Sequence, residues 1–225
     1  WPQPQYDFTQ NPLTEEGFQL GRRLFYDPIL SRDSTISCAS CHLQATGFSH
    51  VDHELSHGIE GRVGTRNSMA LVNLAWSKDF LWDGGSNHLD VQPLNPITSS
   101  FEMGETLEHV VAKLQQSNSY PQRFEAAFGT SKITGQLTLK ALSQFMLLLQ
   151  SSNSKYDKMV RGEAIFNESE KKGYALFKRN CASCHTEPLF TNGKFENNGL
   201  AIDNDLNDTG RMKITGLQED YMRFK

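Results

Sequence analysis

All four cysteines of the chain fall in two copies of one pentapeptide, Cys38-Ala39-Ser40-Cys41-His42 and Cys181-Ala182-Ser183-Cys184-His185. Two thiols one helical turn apart, followed at once by an imidazole, make the attachment motif of a c-type haem: the sulfurs meet the two vinyl groups of one porphyrin and the histidine reaches its iron. A disulfide, a reactive thiol pair and half of a zinc site are the competing readings of such cysteines. None of them calls for a histidine after each pair, and a zinc ribbon spaces its pairs roughly 15–20 residues apart, far closer than these. Cys38, Cys41, Cys181 and Cys184 are therefore read as haem-attachment residues, and His42 and His185 as proximal iron ligands.

A chain of 225 residues suits one large or two small domains, and the motifs divide it into two haem-bearing parts. The apolar fraction of 37% and the mean hydropathy of -0.52 are low for this size, which fits domains in which a porphyrin supplies part of the core. The formal charge is -4, from 22 basic and 26 acidic side chains. Haem propionates would add negative charge, so nucleic acid and anionic membranes are disfavoured partners, and a small basic redox protein is electrostatically acceptable. No apolar run approaches the roughly 20 residues that cross a bilayer, and Trp1-Pro2-Gln3-Pro4 resembles no signal peptide. A soluble, already processed chain is expected. Because this type of haem is attached outside the cytoplasm, the expected location is periplasmic, with a lipid anchor upstream of Trp1 left open.

Helical signals dominate. Thr14 caps a segment through Phe18 and Arg22 to Phe25, which Pro28 ends by excluding helical geometry at Asp27. Thr106 precedes Leu107, Val110, Val111 and Leu114 at helical spacing. Pro121 suits a first helical turn, with Phe124 and Phe128 on one face and Gly129 as the stop. Thr134 opens the longest candidate, with a wide stripe of Leu137, Ala141, Leu142, Phe145, Leu148 and Leu149. Ser169 is read as the start of a helix leading into the second motif, and residues 190–211 as a loop rich in Asn, Asp and Gly. The expected fold is mostly α, two c-type cytochrome domains with long loops, over residues 1–160 and 161–225, with the boundary in the polar stretch Ser151 to Gly162.

Several stretches agree with one family together: Leu20-Gly21-Arg22-Arg23-Leu24-Phe25-Tyr26-Asp27-Pro28, both haem motifs, Gly64-Thr65-Arg66-Asn67-Ser68, Phe80-Leu81-Trp82-Asp83-Gly84 and Phe101-Glu102-Met103. From about Leu13 to Lys225 the chain resembles the bacterial diheme cytochrome c peroxidases and the related MauG-type diheme enzymes. The resemblance implies two haems, the N-terminal one reacting with hydrogen peroxide and the C-terminal one passing it electrons from a small cytochrome c or cupredoxin. It implies that Trp82 lies between the haems, that Gln92 and Glu102 belong to the distal pocket of the first, and that Asn67 is a ligand of a calcium ion between the domains. A homodimer is a further expectation from the family. A MauG-type oxidase acting on a Trp or Tyr of a partner protein is the second enzymatic reading, and a plain diheme electron carrier the third.

Chemistry gives these assignments independent sense. Heterolysis of an O–O bond needs a proton moved from one oxygen to the other, which a pocket carboxylate such as Glu102 can carry. Gln92 can donate or accept a hydrogen bond beside peroxide. Trp82 taken alone is a packed aromatic, which is compatible with a bridging role. Asn67 offers a neutral oxygen suited to calcium and is equally a turn residue. In Ser56-His57-Gly58 two alignments stand open, one placing a capping ligand of the first haem at His57 and one placing none there. The chain also departs from the family: Gly85 stands where an Arg usually follows Trp-Asp-Gly. It ends at Phe224-Lys225, before the region expected to hold the distal ligand of the second haem, Met or Tyr, and the remaining calcium ligands. The six methionines are read as packing residues.

Overall fold

The computed structural model describes residues 1–225. Nine helices carry the chain: α1 Glu15–Tyr26, α2 Cys38–Cys41, α3 Leu94–Thr98, α4 Leu107–Gln116, α5 Tyr120–Phe128, α6 Gly135–Leu147, α7 Lys155–Val160, α8 Glu168–Asn180 and α9 Met212–Thr215. Strand pairing is limited to isolated bridges, so the fold is mostly helical with long ordered loops, as the sequence indicates. No helix is long and apolar enough to cross a membrane.

The caps act where the sequence puts them. The side chains of Thr14, Thr106 and Thr134 accept from the backbone N–H of Gly17, His109 and Leu137 at 3.0, 3.2 and 3.2 Å, satisfying donors that the first turn leaves free. Two details differ from expectation. Helix α8 begins at Asn167, not Ser169, because Asn167 and Glu170 cap each other: the Glu170 N–H donates to Asn167 Oδ1 at 2.9 Å and the Asn167 N–H to Glu170 Oε2 at 2.7 Å. Leu148 lies past the end of α6 and is exposed.

Helices α1 and α6 form the centre of the fold and cross closely. A Cβ on Gly21 would fall 1.9 Å from the Ala141 carbonyl oxygen, and one on Gly17 would meet the Gln144 side chain at 2.0 Å. The two glycines, one turn apart, form the groove in which α6 lies. The core built there, with Leu20, Leu24, Phe25, Leu142, Phe145 and Met146, lies wholly within residues 20–147. Gln144, buried with it, donates to Asn11 Oδ1 at 2.9 Å and accepts from the Thr14 N–H at 3.1 Å, so its amide is paired.

Beyond Val160 only Gly210 is buried. The C-terminal part is organised by an aromatic cluster: Tyr156 of α7 meets Phe190 with ring centroids 4.8 Å apart, Phe177 meets Phe190 at 5.4 Å, and Phe166 meets Tyr174 at 5.6 Å. Helix α7, before the sequence-based boundary, thus contributes its tyrosine to residues that follow it.

Replacing Gly21 with Ala forces a methyl into the Ala141 backbone. We expect a loss of about 1–3 kcal/mol, read as a fall in Tm by calorimetry. An unchanged Tm would show that α1 and α6 can separate freely.

Candidate haem sites and the adjoining cleft

Both Cys-x-x-Cys-His motifs use one local device. In the first, Cys38–Cys41 form a single helical turn, and the His42 N–H donates to the Cys38 carbonyl at 2.9 Å. The His42 ring then bonds through Nδ1 to the Phe48 carbonyl at 2.9 Å. In the second, the His185 N–H donates to Cys181 O at 2.9 Å, and Nδ1 of His185 bonds to the Phe190 carbonyl at 3.1 Å. Phe48 and Phe190 both have left-handed backbone, φ 60 and 56, which turns their carbonyls to the imidazoles. A carbonyl only accepts, so Nδ1 carries the proton and Nε2 presents its lone pair, the arrangement an iron ligand needs.

Around the first motif lies a cavity. Its walls include Phe25, Ile36, Leu71, Met103, Leu142 and Met146, so the core helices line it directly, and Cys38, Cys41 and His42 open onto it. Burial pushes the Cys38 thiol up to about 12 and raises Cys41, while burial lowers His42 against the pull of its carbonyl partners. Two thiols and a neutral imidazole thus face a largely apolar space, and this donor set fits a haem. The second motif has the same donors on a more open surface, with Cys181, Cys184 and His185 exposed.

Gln92 and Glu102, far from His42 in sequence, line the same cavity. Burial raises the Glu102 carboxyl above the usual range, with a bond to Ser99 opposing. The cavity adjoins a cleft that shares His42, Gln92 and Glu102 and reaches Arg66, Asn67, Trp82, Lys213 and Lys225. Trp82 stands in this cleft. Its indole Nε1–H donates to the Asn67 carbonyl at 3.1 Å, and its own carbonyl accepts from the Lys225 N–H at 2.8 Å. The three residues picked from the sequence for chemistry, Glu102, Gln92 and Trp82, are therefore brought to one continuous space with the first motif. Asn67 sits at its edge with its carbonyl engaged by Trp82. His57 also lines the smaller cavity, and its carbonyl accepts from the Cys41 thiol at 3.4 Å. Met103 and Met146 are packed in the cavity wall, in keeping with a packing role.

Sequence reasoning missed the joint beneath Trp82. The Arg66 guanidinium meets Asp83 Oδ2 at 2.6 Å and grips Asp208 with two bonds, Nε to Oδ2 at 2.6 Å and Nη2 to Oδ1 at 2.8 Å. Arg211 donates to the Asp83 carbonyl at 3.0 Å and lies over the Phe195 ring at 3.9 Å. Arg66, Lys213 and Lys225 line the cleft, and the Arg211 guanidinium lies beside Gly84. Arg66 lay inside a quoted motif. Asp208, one Asp in a loop of Asn, Asp and Gly, carried no signal of its own.

A sequence profile of the di-haem cytochrome c peroxidase family matches residues 15–165. The chain belongs to this family. Among relatives of this di-haem family, the methylamine utilization protein MauG of Methylorubrum extorquens is 36% identical over 224 residues, covering 95% of this chain and 61% of the relative. The cytochrome c551 peroxidase of Nitrosomonas europaea is 33% identical over 222 residues, covering 95% of this chain and 65% of the relative. The chain therefore spans a little under two thirds of these proteins. A crystal structure of a MauG-like protein associated with microbial copper homeostasis superposes with TM-score 0.88 at 31% identity, covering 100% of this chain and 71% of that one. The diheme peroxidase BthA of Burkholderia thailandensis shares the fold at TM-score 0.82 and 20% identity. Membership of the di-haem family implies two haems, and the donor sets at both motifs agree with that number.

The Arg66–Asp208 pair gives the joint a pH signature. Burial alone would raise the Asp208 carboxyl, but bonds from Arg66 and the Gly210 N–H hold it down, to about 2. A depressed carboxylate adds stability above its unfolded pKa of about 3.9 and loses it as pH falls through the folded value. Asp208→Asn should lower stability at neutral pH, with the gap to the parent closing between about pH 4 and pH 2. A denaturation series across that window checks it, and a gap that persists at the acid end would contradict the pairing.

Proposed function

We propose that the protein is a diheme peroxidase that reduces hydrogen peroxide to water. Its haems are attached covalently through Cys38 and Cys41 and through Cys181 and Cys184, with His42 and His185 as proximal ligands. Electrons from a small cytochrome c or cupredoxin enter at the C-terminal haem and pass to the N-terminal one. The reading includes a division of labour between residues 1–160 and 161–225, a calcium ion near Asn67 and a periplasmic location. The observation that carries it is the presence of Glu102 and Gln92 on the cavity onto which Cys38, Cys41 and His42 open. An electron carrier has no use for a buried carboxylate in that place.

Bound at the first motif, haem supplies the iron at which peroxide is taken up and the redox equivalents that reduce it. The chain's residues manage the proton and the geometry. Glu102, whose burial makes its carboxylate a stronger base than that of a surface glutamate, takes a proton in its ionised form from one peroxide oxygen and returns it to the other as the bond between them breaks. Two further protons and two electrons complete the conversion to two waters. The Gln92 amide supplies a hydrogen bond that orients peroxide toward Glu102. Trp82, fixed by Asn67 and Lys225, is the aromatic group between the N-terminal site and the C-terminal part.

A second reading draws support from MauG relatives in two organisms, each 36% identical to this chain: oxidation of a Trp or Tyr on a partner protein. Mixing peroxide with half-reduced protein and reduced cytochrome c separates the two. Steady turnover of the cytochrome supports the peroxidase, and a long-lived oxidised state without turnover supports the protein-modifying oxidase.

Glu102→Gln should slow the reaction with peroxide by about 10²–10⁴-fold in stopped flow, with haem content unchanged. A parental rate would remove Glu102 from the mechanism. Trp82→Ala should slow electron transfer between haems more than it slows peroxide uptake, and equal effects on the two steps would deny the bridging role. Haem that stays with the chain after denaturation, two per chain in the parent and one after replacement of Cys181 and Cys184 by Ala, checks the attachment.

A further inference from the structure

The segment that carries Glu102 is gripped from outside by a hairpin that the steps above do not use. Residues 56–66 fold back on themselves: Ser56 N–H donates to Arg66 O at 3.0 Å, Gly64 N–H to Ser56 O at 2.8 Å, and Gly58 N–H to Arg62 O at 2.8 Å. The tip is Glu60-Gly61, both left-handed, with φ 57 and 68. Tight turns of this form favour Asn, Asp or Gly at the first of the two positions, so a glutamate there is strained and invites the question of what its side chain does.

Its carboxylate bridges two arginines, Oε1 meeting Arg32 Nη2 at 2.5 Å and Oε2 meeting Arg62 Nη2 at 2.6 Å. Each arginine holds the Glu102 segment. The backbone N–H of Arg32 donates to Met103 O at 2.9 Å, and Arg62 Nη1 donates to Ser100 O at 3.0 Å. Between them the Ile59 N–H donates to Glu102 O at 2.8 Å. Gly58 lies flush on the same backbone, where a Cβ would fall 2.1 Å from Phe101 O and 2.5 Å from Glu102 Cα. The fully buried Ile59 side chain closes the contact under Gly104. Every residue from Ser100 to Gly104 is thus touched by the hairpin or by an arginine tied to its tip.

We propose that Glu60 is a positioning residue for Glu102: by bridging Arg32 and Arg62 it fixes how far the Glu102 carboxylate reaches into the first haem cavity. This rests on the reading of Glu102 as the proton carrier. Glu60 and both arginines are about half exposed, and ion pairs of that kind add little to global stability. The effect is therefore expected in the chemistry and in local mobility, with Tm nearly unchanged.

The test is a double-mutant cycle on the haem-loaded protein. Glu60→Ala should slow the peroxide reaction about tenfold and Gly58→Ala about 100-fold, as small displacements of a reacting group do. Glu60→Gln, which keeps the shape and one acceptor oxygen but sets an amide NH2 against the other guanidinium, should recover part of the loss. In the Glu102→Gln background, Glu60→Ala should cost nothing further, because coupled residues are not additive. Independently of activity, amide exchange followed by mass spectrometry should quicken at 100–104 in Glu60→Ala and stay parental in α6. A parental rate and parental exchange in Glu60→Ala, or an equal loss with and without Glu102, overturns the proposal alone. A parental rate in Glu102→Gln overturns the proton-carrier reading and the positioning role with it.

Discussion

The bond from the imidazole of each Cys-x-x-Cys-His motif to a backbone carbonyl is the interaction on which the rest of this structure converges. At the first motif, Nδ1 of His42 is fixed by Phe48 O, and Phe48 keeps a left-handed backbone that a bulky residue rarely adopts. What holds it there is the core. The Phe48 ring meets Phe25 of α1 and Phe145 of α6 with centroids 5.9 and 6.1 Å apart, and those two rings meet each other at 4.9 Å. Phe25 and Phe145 come together because Gly21 lets α1 lie on the α6 backbone. A glycine in a helix thus sets, through three aromatic rings and one carbonyl, the direction in which a histidine presents its lone pair. The C-terminal motif repeats the scheme with less support, since Phe190, which holds His185, leans on Tyr156 and Phe177 alone among rings.

The two parts are joined by polar groups. The N-terminal part has its own packed core, and the C-terminal part buries almost nothing of its own. The joint uses Arg66 between Asp83 and Asp208, with Arg211 on the Asp83 carbonyl and over Phe195. Arg66 and both its carboxylates are largely shielded from water, so losing any one leaves a buried charge short of a partner, which is the costly case for such pairs. A charged joint is directional as well: two parallel bonds to Asp208 fix angle as well as distance, as a fixed spacing between two redox sites requires.

Local signals in the sequence were legible where the physics is local. Thr14, Thr106 and Thr134 cap the helices they precede because a cap depends on residues three positions away. The start of α8 at Asn167 was readable by the same rule, since Asn167 and Glu170 stand at capping-box spacing; Ser169 is an equally good cap residue lacking that reciprocal partner. The haem motifs carry their chemistry in five consecutive residues. Glu102, Gln92 and Trp82 were reachable only through family resemblance, because nothing in their own neighbourhood marks them as facing a cavity. The carbonyls of Phe48 and Phe190, the pairing of Asp208 with Arg66 and the seat of Gly58 on the Glu102 backbone stayed hidden. A carbonyl has no side-chain signature, and the latter two contacts join residues about 40 or more positions apart.

The two residues proposed for proton and electron, Glu102 and Trp82, are held by supports of different kinds that meet in one loop. Glu102 sits on an irregular segment held by backbone bonds from residues 32 and 59 and by Arg62, whereas Trp82 is held by Asn67 and by the charged joint next to it. Residues 56–66 run from one to the other: their tip braces the Glu102 segment, and their end is Arg66, followed by the Trp82 partner Asn67. The proposed reaction needs two electrons and two protons delivered to the same place, so the carboxylate and the indole must be placed together. The hairpin braces the Glu102 segment at its tip and leads into Asn67, which holds Trp82, without a rigid sheet or long helix in this part of the chain. By that logic the loop after the first haem motif is a structural member in its own right, and its left-handed Glu60 is a local strain consistent with that role.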